Sequence, residues 1–372
     1  MKSANVLTHA LLVLPAVWLL CVTTQCRAQE DDSTVSEMEQ RRQISQHTAE
    51  LLRAENFTEL EKIADEYRTN KTRLPSGFWK LYNFYEGVEA PRASSTGRDW
   101  ELHLARLEKW RSQYPQSITV HTALAAAYVK YAWQARGGGY ANTVTDEGWQ
   151  LFRERLHKVE GYVEDARKLP SVDPHLDCVN LILAKGLGWE WPQYNAVFDA
   201  AVKREPRYMY VYFQKAVYSL PRWNGKRGDV ERFALQAGRL TQDVEGKAMY
   251  ARLAVCLKQY LGKDDWFFDV YHLSWPDVKE GFRDLEKQYP HSLWNLNQFC
   301  LTACQAKDSR TAHELFERIG DRWDGDVWNN EGQYRKWKNW AENPSAHPDA
   351  IGEKAEEPSL WRRVLGYLLS WW

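Results

Sequence analysis

Residues 146–168 read DEGWQLFRERLHKVEGYVEDARK, and their spacing decides the fold class. Trp149, Phe152, Leu156, Val159, Val163 and Ala166 recur at gaps of 3, 4, 3, 4 and 3, which places them on one stripe of an α-helix. Arg153, Glu154, Lys158 and Glu164 fill the remaining surface. Similar helical patterns run outward in both directions. Glu37 to Ala54 and Phe57 to Arg68 form a candidate pair, and Ser292 to Gln305 with Ser309 to Ile319 form a hairpin whose Ala312, Leu315, Phe316 and Ile319 point inward. No comparable run alternates with the period of a strand, so the chain reads as all-α with no substantial sheet.

An internal echo supports a repeated unit. Leu-Glu-Lys followed by Gln-Tyr-Pro-x-Ser occurs at Leu107 to Ser117 and again at Leu285 to Ser292, and Glu205-Pro206 is a weaker third version. Proline excludes the helical conformation at the tyrosine before it, and the serine then caps the next helix, so each copy is a helix-to-helix joint. The spacing resembles that of tetratricopeptide-type hairpins, and the expected architecture is an irregular helical-hairpin array. The body of that array spans residues 37–342.

The ends differ in kind. Residues 1–28 read as an export signal: Lys2 near the start, an apolar run from Ala10 to Val22, and small residues at Cys26 and Ala28. Leu20 and Gln25 are poor residues to precede a lipidated cysteine, which argues against lipidation at Cys21 or Cys26. The expected location is the periplasm or the medium, with an envelope association open. Residues 29–36 form a polar leader, 343–359 a linker rich in Pro, Ala, Glu and Lys, and 360–372 a short amphipathic helix too short to cross a bilayer. That tail, Leu360 to Trp372, could lie at a membrane surface, on a partner, or on its own domain.

Composition narrows the function classes. Removing Lys2 and Arg27 with the signal leaves 47 basic against 50 acidic residues, a net charge of −3, which gives no reason to expect nucleic acid. Nineteen tryptophans and nineteen tyrosines suit tight helix packing or an aromatic groove. Cys178, Cys256, Cys300 and Cys304 allow three disulfide pairings, with buried free thiols the simpler reading. No HExxH, GxSxG, Walker lysine loop or GxGxxG is present, and no cofactor signature remains. Asp324 to Asp326 fails as an EF-hand because Trp328 falls at a ligand position, and Cys300, Cys304 and His313 match no standard zinc spacing.

One loop stands out. Gly137-Gly138-Gly139 follows a helix that starts near Ser117 and carries Val120, Leu124, Ala127, Tyr128 and Tyr131 on one stripe. A phosphate loop needs glycines before a helix; here they come after one, where glycine ends helices. Around this bend Trp133, Arg136, Gly137, Gly139, Tyr140, Trp149 and Arg153, joined by Arg222 and Trp223, are the candidate binding residues, a lining suited to a carboxylate, a sugar or a peptide end. The competing reading has each arginine satisfying carbonyls and each tryptophan filling the core.

The run from Tyr131 to Ala141, with Val144, Trp149 to Arg155, Leu220 to Gly225 and Gly77 to Leu81, resembles a bacterial family catalogued only as a domain of unknown function. The resemblance covers roughly residues 56–250 and implies no activity. The expectation is a scaffold that binds a partner protein or peptide, with an enzyme of unfamiliar type, its site between the 137–144 and 221–228 loops, as the alternative.

Overall fold

Cap chemistry written into the sequence sets where many of the helices begin, among them those capped by Asn56, Thr96, Ser117, Thr145, Asp173, Ser274 and Ser292. In the computed structural model, which describes residues 35–91, 95–260 and 267–344, the chain forms α1 (Glu37–Arg53), α2 (Phe57–Thr69), α3 (Lys80–Val88), α4 (Gly97–Gln113), α5 (Ile118–Arg136) and α6 (Asp146–Arg167). There follow α7 (Pro174–Gly186), α8 (Trp191–Arg204), α9 (Met209–Tyr218), α10 (Asp229–Leu240), α11 (Gln242–Glu245) and α12 (Ala248–Leu257). The last are α13 (Phe267–Tyr271), α14 (Trp275–Gln288), α15 (Leu293–Gln305), α16 (Ser309–Ile319), α17 (Gly325–Trp328) and α18 (Glu331–Glu342). No strand occurs among the described residues, and the fold is all-α. The segments read as an export signal and as a C-terminal tail, with most of those read as leader and linker, lie outside the described residues.

The echoed joints adopt one geometry. Tyr114 ends α4 at φ −126°, ψ 61°, and Tyr289 ends α14 at φ −132°, ψ 61°. After each, a serine caps the next helix: Ser117 accepts from the amides of Thr119 and Val120, and Ser292 from Asn295. Glu205, at φ −142° and ψ 84°, makes the same kind of exit from α8. A proline follows in all three cases, which explains the shared extended backbone.

Packing sorts the helices into two sets. α5, α7, α9 and α12 pack on one another in succession, and α4, α6, α8 and α10 flank them. The first set is buried almost all round, as a helix apolar on every face must be: Ile118 to Val129 of α5 and all of Met209 to Tyr218 in α9 are inside. The flanking helices bury one stripe. In α6 that stripe is Phe152, Leu156, Val159, Val163 and Ala166, the residues picked out by spacing, with Trp149 half-buried.

The segment between α2 and α3 departs from neighbour-to-neighbour stacking. The Ser76 carbonyl accepts from Arg252 Nη2 of α12 at 3.0 Å and from Asn295 Nδ2 of α15 at 3.2 Å, across 176 and 219 residues of chain. Its amide donates to Glu37 Oε2 at 2.8 Å, and Arg41 pairs with the same carboxylate. Phe78 lies under the Arg41 guanidinium at 4.1 Å and near Tyr210 and Phe213 of α9, and Trp79 Nε1 donates to the Arg207 carbonyl at 2.9 Å. Gly77 makes this approach possible. Its φ is +90°, and an added Cβ would stand 2.4 Å from Tyr289 Cζ and 2.7 Å from Arg252 Nη2.

Candidate functional site

The glycine run sits where helix-ending logic puts it. α5 stops at Arg136, Gly137 takes φ +74°, and its amide returns to the Trp133 carbonyl at 2.9 Å. A single turn of 3-10 helix over Ala141–Thr143 leads to Thr145, whose hydroxyl caps α6 through the Gly148 amide. The glycines thus face the carbonyl end of a helix and present no anion cradle.

Several of the nominated side chains come together, but mostly to hold the bend. Arg136 donates from Nη1 to the carbonyls of Gly137 at 3.1 Å and Gly139 at 2.8 Å, and its guanidinium stands 5.5 Å from the Trp133 ring and 5.4 Å from the Trp149 ring. Trp133 is buried, edge-on to Phe152 at 5.0 Å and to Trp223 at 5.7 Å. This is the carbonyl-satisfying, core-filling arrangement. Tyr140 is 82% exposed. Arg153 is exposed, and Arg155 is the arginine that returns to α5, donating to the Tyr131 carbonyl and lying over the Tyr131 ring. Arg153 lies on the flank of the apolar stripe opposite Arg155. Arg222 turns to Tyr260, donating to its carbonyl at 3.0 Å with its guanidinium 5.0 Å from that ring.

The side chain at the centre of this cluster went unread in the sequence. Lys185, in the last turn of α7, is 5% exposed and points its ammonium at two indoles, Trp133 at 5.3 Å and Trp223 at 4.9 Å. Burial pulls its pKa down to about 7; the Cys178 thiol opposes the fall, and Arg136 and Arg222 add to it. No carboxylate is among the charges acting on it. In sequence it reads as an ordinary basic residue in a last helical turn.

A cleft of about 220 Å³ opens at the other end of the same helices, lined by Ile118, Val163, Ala166, Leu169, Val172 and Leu176 with Arg167, Asp177, Asn180 and Arg204. Most polar groups there are committed. Asp173 accepts from Tyr85 Oη at 2.6 Å, Arg68 Nε at 3.2 Å and the His175 amide at 2.8 Å, and Asp177 pairs with Arg204. Asn180 is the exception: 1% exposed, with neither Oδ1 nor Nδ2 hydrogen-bonded. Val172 at the rim is exposed. The one sequence signal for Asn180 was its position as the sole carboxamide in the apolar stretch Cys178–Ala184.

All four cysteines of the helical body are buried free thiols, none in a disulfide. Among the described residues no group of His, Cys, Asp and Glu is arranged to hold a metal, and no helix is long and apolar enough to cross a membrane. Fold and site together define an all-α protein with a tryptophan-caged lysine at one end of its buried helices and an apolar, amide-floored cleft at the other. No protein family, curated protein or solved structure matches the chain.

Proposed function

We propose that the protein is a scaffold that binds a peptide segment of a partner protein in the cleft over Asn180. The unpartnered carboxamide carries this reading. A peptide unit offers one N–H and one C=O, the complement of what Asn180 leaves unsatisfied at a cost of about 1–3 kcal/mol for each buried group. Apolar walls with one or two fixed polar groups are the usual makeup of a binding cleft. Val172 extends the apolar wall outward, and Arg167 at the rim favours a peptide with an acidic residue beside its apolar anchor. An export signal in residues 1–28 places that partner in the envelope or beyond, and the Leu360–Trp372 tail gives a second contact with membrane or partner. The likeness of Tyr131–Ala141 to a bacterial domain family adds no activity to this.

The test is peptide selection on the intact protein, followed by anisotropy titration of the selected peptides against parent and Asn180→Leu. The variant keeps the helix, gains stability by removing an unsatisfied amide, and weakens binding about tenfold or more. Equal affinity for the two proteins sinks the assignment.

Lys185 supports a second reading, an enzyme with its site between the 137–144 and 221–228 loops. An amine with a pKa of about 7 is half neutral at physiological pH and serves as nucleophile or base. Acylation of Lys185 by a small amine-selective reagent then follows a titration near pH 7. A residue that reacts only as surface lysines do excludes this activity.

A further inference from the structure

A second cleft, of about 510 Å³, lies between the α8–α9 turn, α11 and the end of α14 and holds two polar anomalies in one place. Glu245 is 3% exposed, and neither of its carboxylate oxygens has a hydrogen-bond partner. Arg207, on the same wall, leaves its buried Nε unpartnered while Nη2 is held by Gln288 Oε1 at 3.1 Å and Tyr289 Oη at 3.3 Å. Arg73 and Tyr212 stand close enough to feel the Glu245 charge, yet neither bonds to it. A buried carboxylate with no hydrogen-bond donor is costly to keep, because a nearby cation that does not bond to it returns only part of its desolvation. Folds retain such groups where a ligand completes them.

We infer that this cleft binds a small zwitterion, a free amino acid or dipeptide, whose ammonium pairs with Glu245 and whose carboxylate pairs with Arg207. Each half of the ligand matches one half of the defect, and neither a simple cation nor a simple anion satisfies both. The rest of the wall refines the class. Asp284 is already engaged by Lys287 Nζ at 2.8 Å and by the Lys247 amide at 2.9 Å, whereas Asp243 at the mouth enters no ion pair among the described residues. With Asp284 already paired to Lys287, Asp243 is left at the mouth to face a further cation of the ligand, so an amino acid with a basic side chain is the best fit. Gln288, which also donates to the Glu245 carbonyl at 3.1 Å, ties the two walls together, so occupancy stiffens the contact between α11 and α14.

The experiment is calorimetric titration of the full chain with L-arginine, L-lysine, N-acetyl-arginine and argininamide. L-Arginine and L-lysine bind, and blocking either the amino or the carboxyl group weakens binding about 10- to 100-fold, the effect of losing a charge-assisted contact. Glu245→Gln is nearly isosteric and removes the buried charge, so it raises the melting temperature while binding of L-arginine falls by a similar factor. Arg207→Gln weakens L-arginine but leaves argininamide unaffected. The inference is overturned if none of the four probes binds at millimolar concentration, or if Glu245→Gln binds L-arginine as the parent does. The latter result identifies the unpartnered oxygens with buried water only. Asn180→Leu, which disables the peptide cleft, leaves these titrations unchanged, so failure of one site does not read as failure of the other.

Discussion

Replacing Lys185 by Met tests whether a bare ammonium is held inside the helix stack. The folded pKa of about 7 against an ordinary 10.5 bounds the cost of keeping that charge buried at about 5 kcal/mol, from 1.36 kcal/mol per unit. The faces of Trp133 and Trp223 return part of this. Exchanging a buried ion for an apolar side chain of similar length is typically worth about 1–4 kcal/mol, and Lys185→Met is expected to stabilise the protein by that amount at pH 6–7. The sign follows from proton counting. Between pH 7 and 10.5 the unfolded chain holds more protons than the folded one, so parent stability climbs across this window and is penalised in full below it. The advantage of Lys185→Met therefore shrinks to under about 1 kcal/mol near pH 10.5, where the parent amine is neutral in the folded state. Lys215 and Lys258, lowered by burial to about 8 and about 7, titrate in both proteins and cancel in the difference. Urea titrations followed by tryptophan fluorescence from pH 6 to 10.5 measure it, with an expected midpoint shift of about 0.3–1.3 M at the acidic end for a slope near 3 kcal/mol/M. A variant less stable than the parent at pH 6–7, or an advantage that does not vary with pH, refutes the reasoning.

Gly77→Ala forces a left-handed backbone and a Cβ into Tyr289 and Arg252, and is expected to cost about 2–4 kcal/mol, read as a lower urea midpoint with unchanged slope. Burial raises the thiols of Cys178, Cys256 and Cys300 above their ordinary range, so a thiol reagent at pH 8 should find none of the four body cysteines in the native protein and all four in urea without reductant. Rapid labelling of the native protein, or fewer than four thiols after unfolding, contradicts the packing described.

How much was legible in the sequence depended on the range of the physics involved. The α6 stripe, the tyrosine-proline-serine joints and the glycine stop after Arg136 are decided by a few neighbouring residues, and each is present in the structure. Trp133, Arg136, Trp149 and Trp223 were brought near one another because they flank two short loops, but Arg222 found Tyr260 and Tyr140 found solvent. Arg153 and Arg155 differ only in which flank of one helix they occupy, a distinction that needs the position of α5. Asn180 and Glu245 were invisible for a different reason: their significance is the absence of a hydrogen-bond partner, and an absence has no sequence pattern, while the two indoles around Lys185 come from distant parts of the chain.

The Ser76 carbonyl also constrains the order in which the protein can be assembled. An array of hairpins with only neighbour contacts can grow from one end, each unit settling as it emerges. Here the second donor to that carbonyl, Asn295, is made 219 residues later, so the early segment waits for nearly the whole chain. Loops of that length close slowly, and Phe78 and Trp79 themselves remain uncovered until Tyr208 and Phe213, at the start of and within α9, have been made. A chain cut short before α9 therefore carries an adhesive segment with nowhere to go, and the nascent protein has reason to depend on a holding factor until those later helices are made.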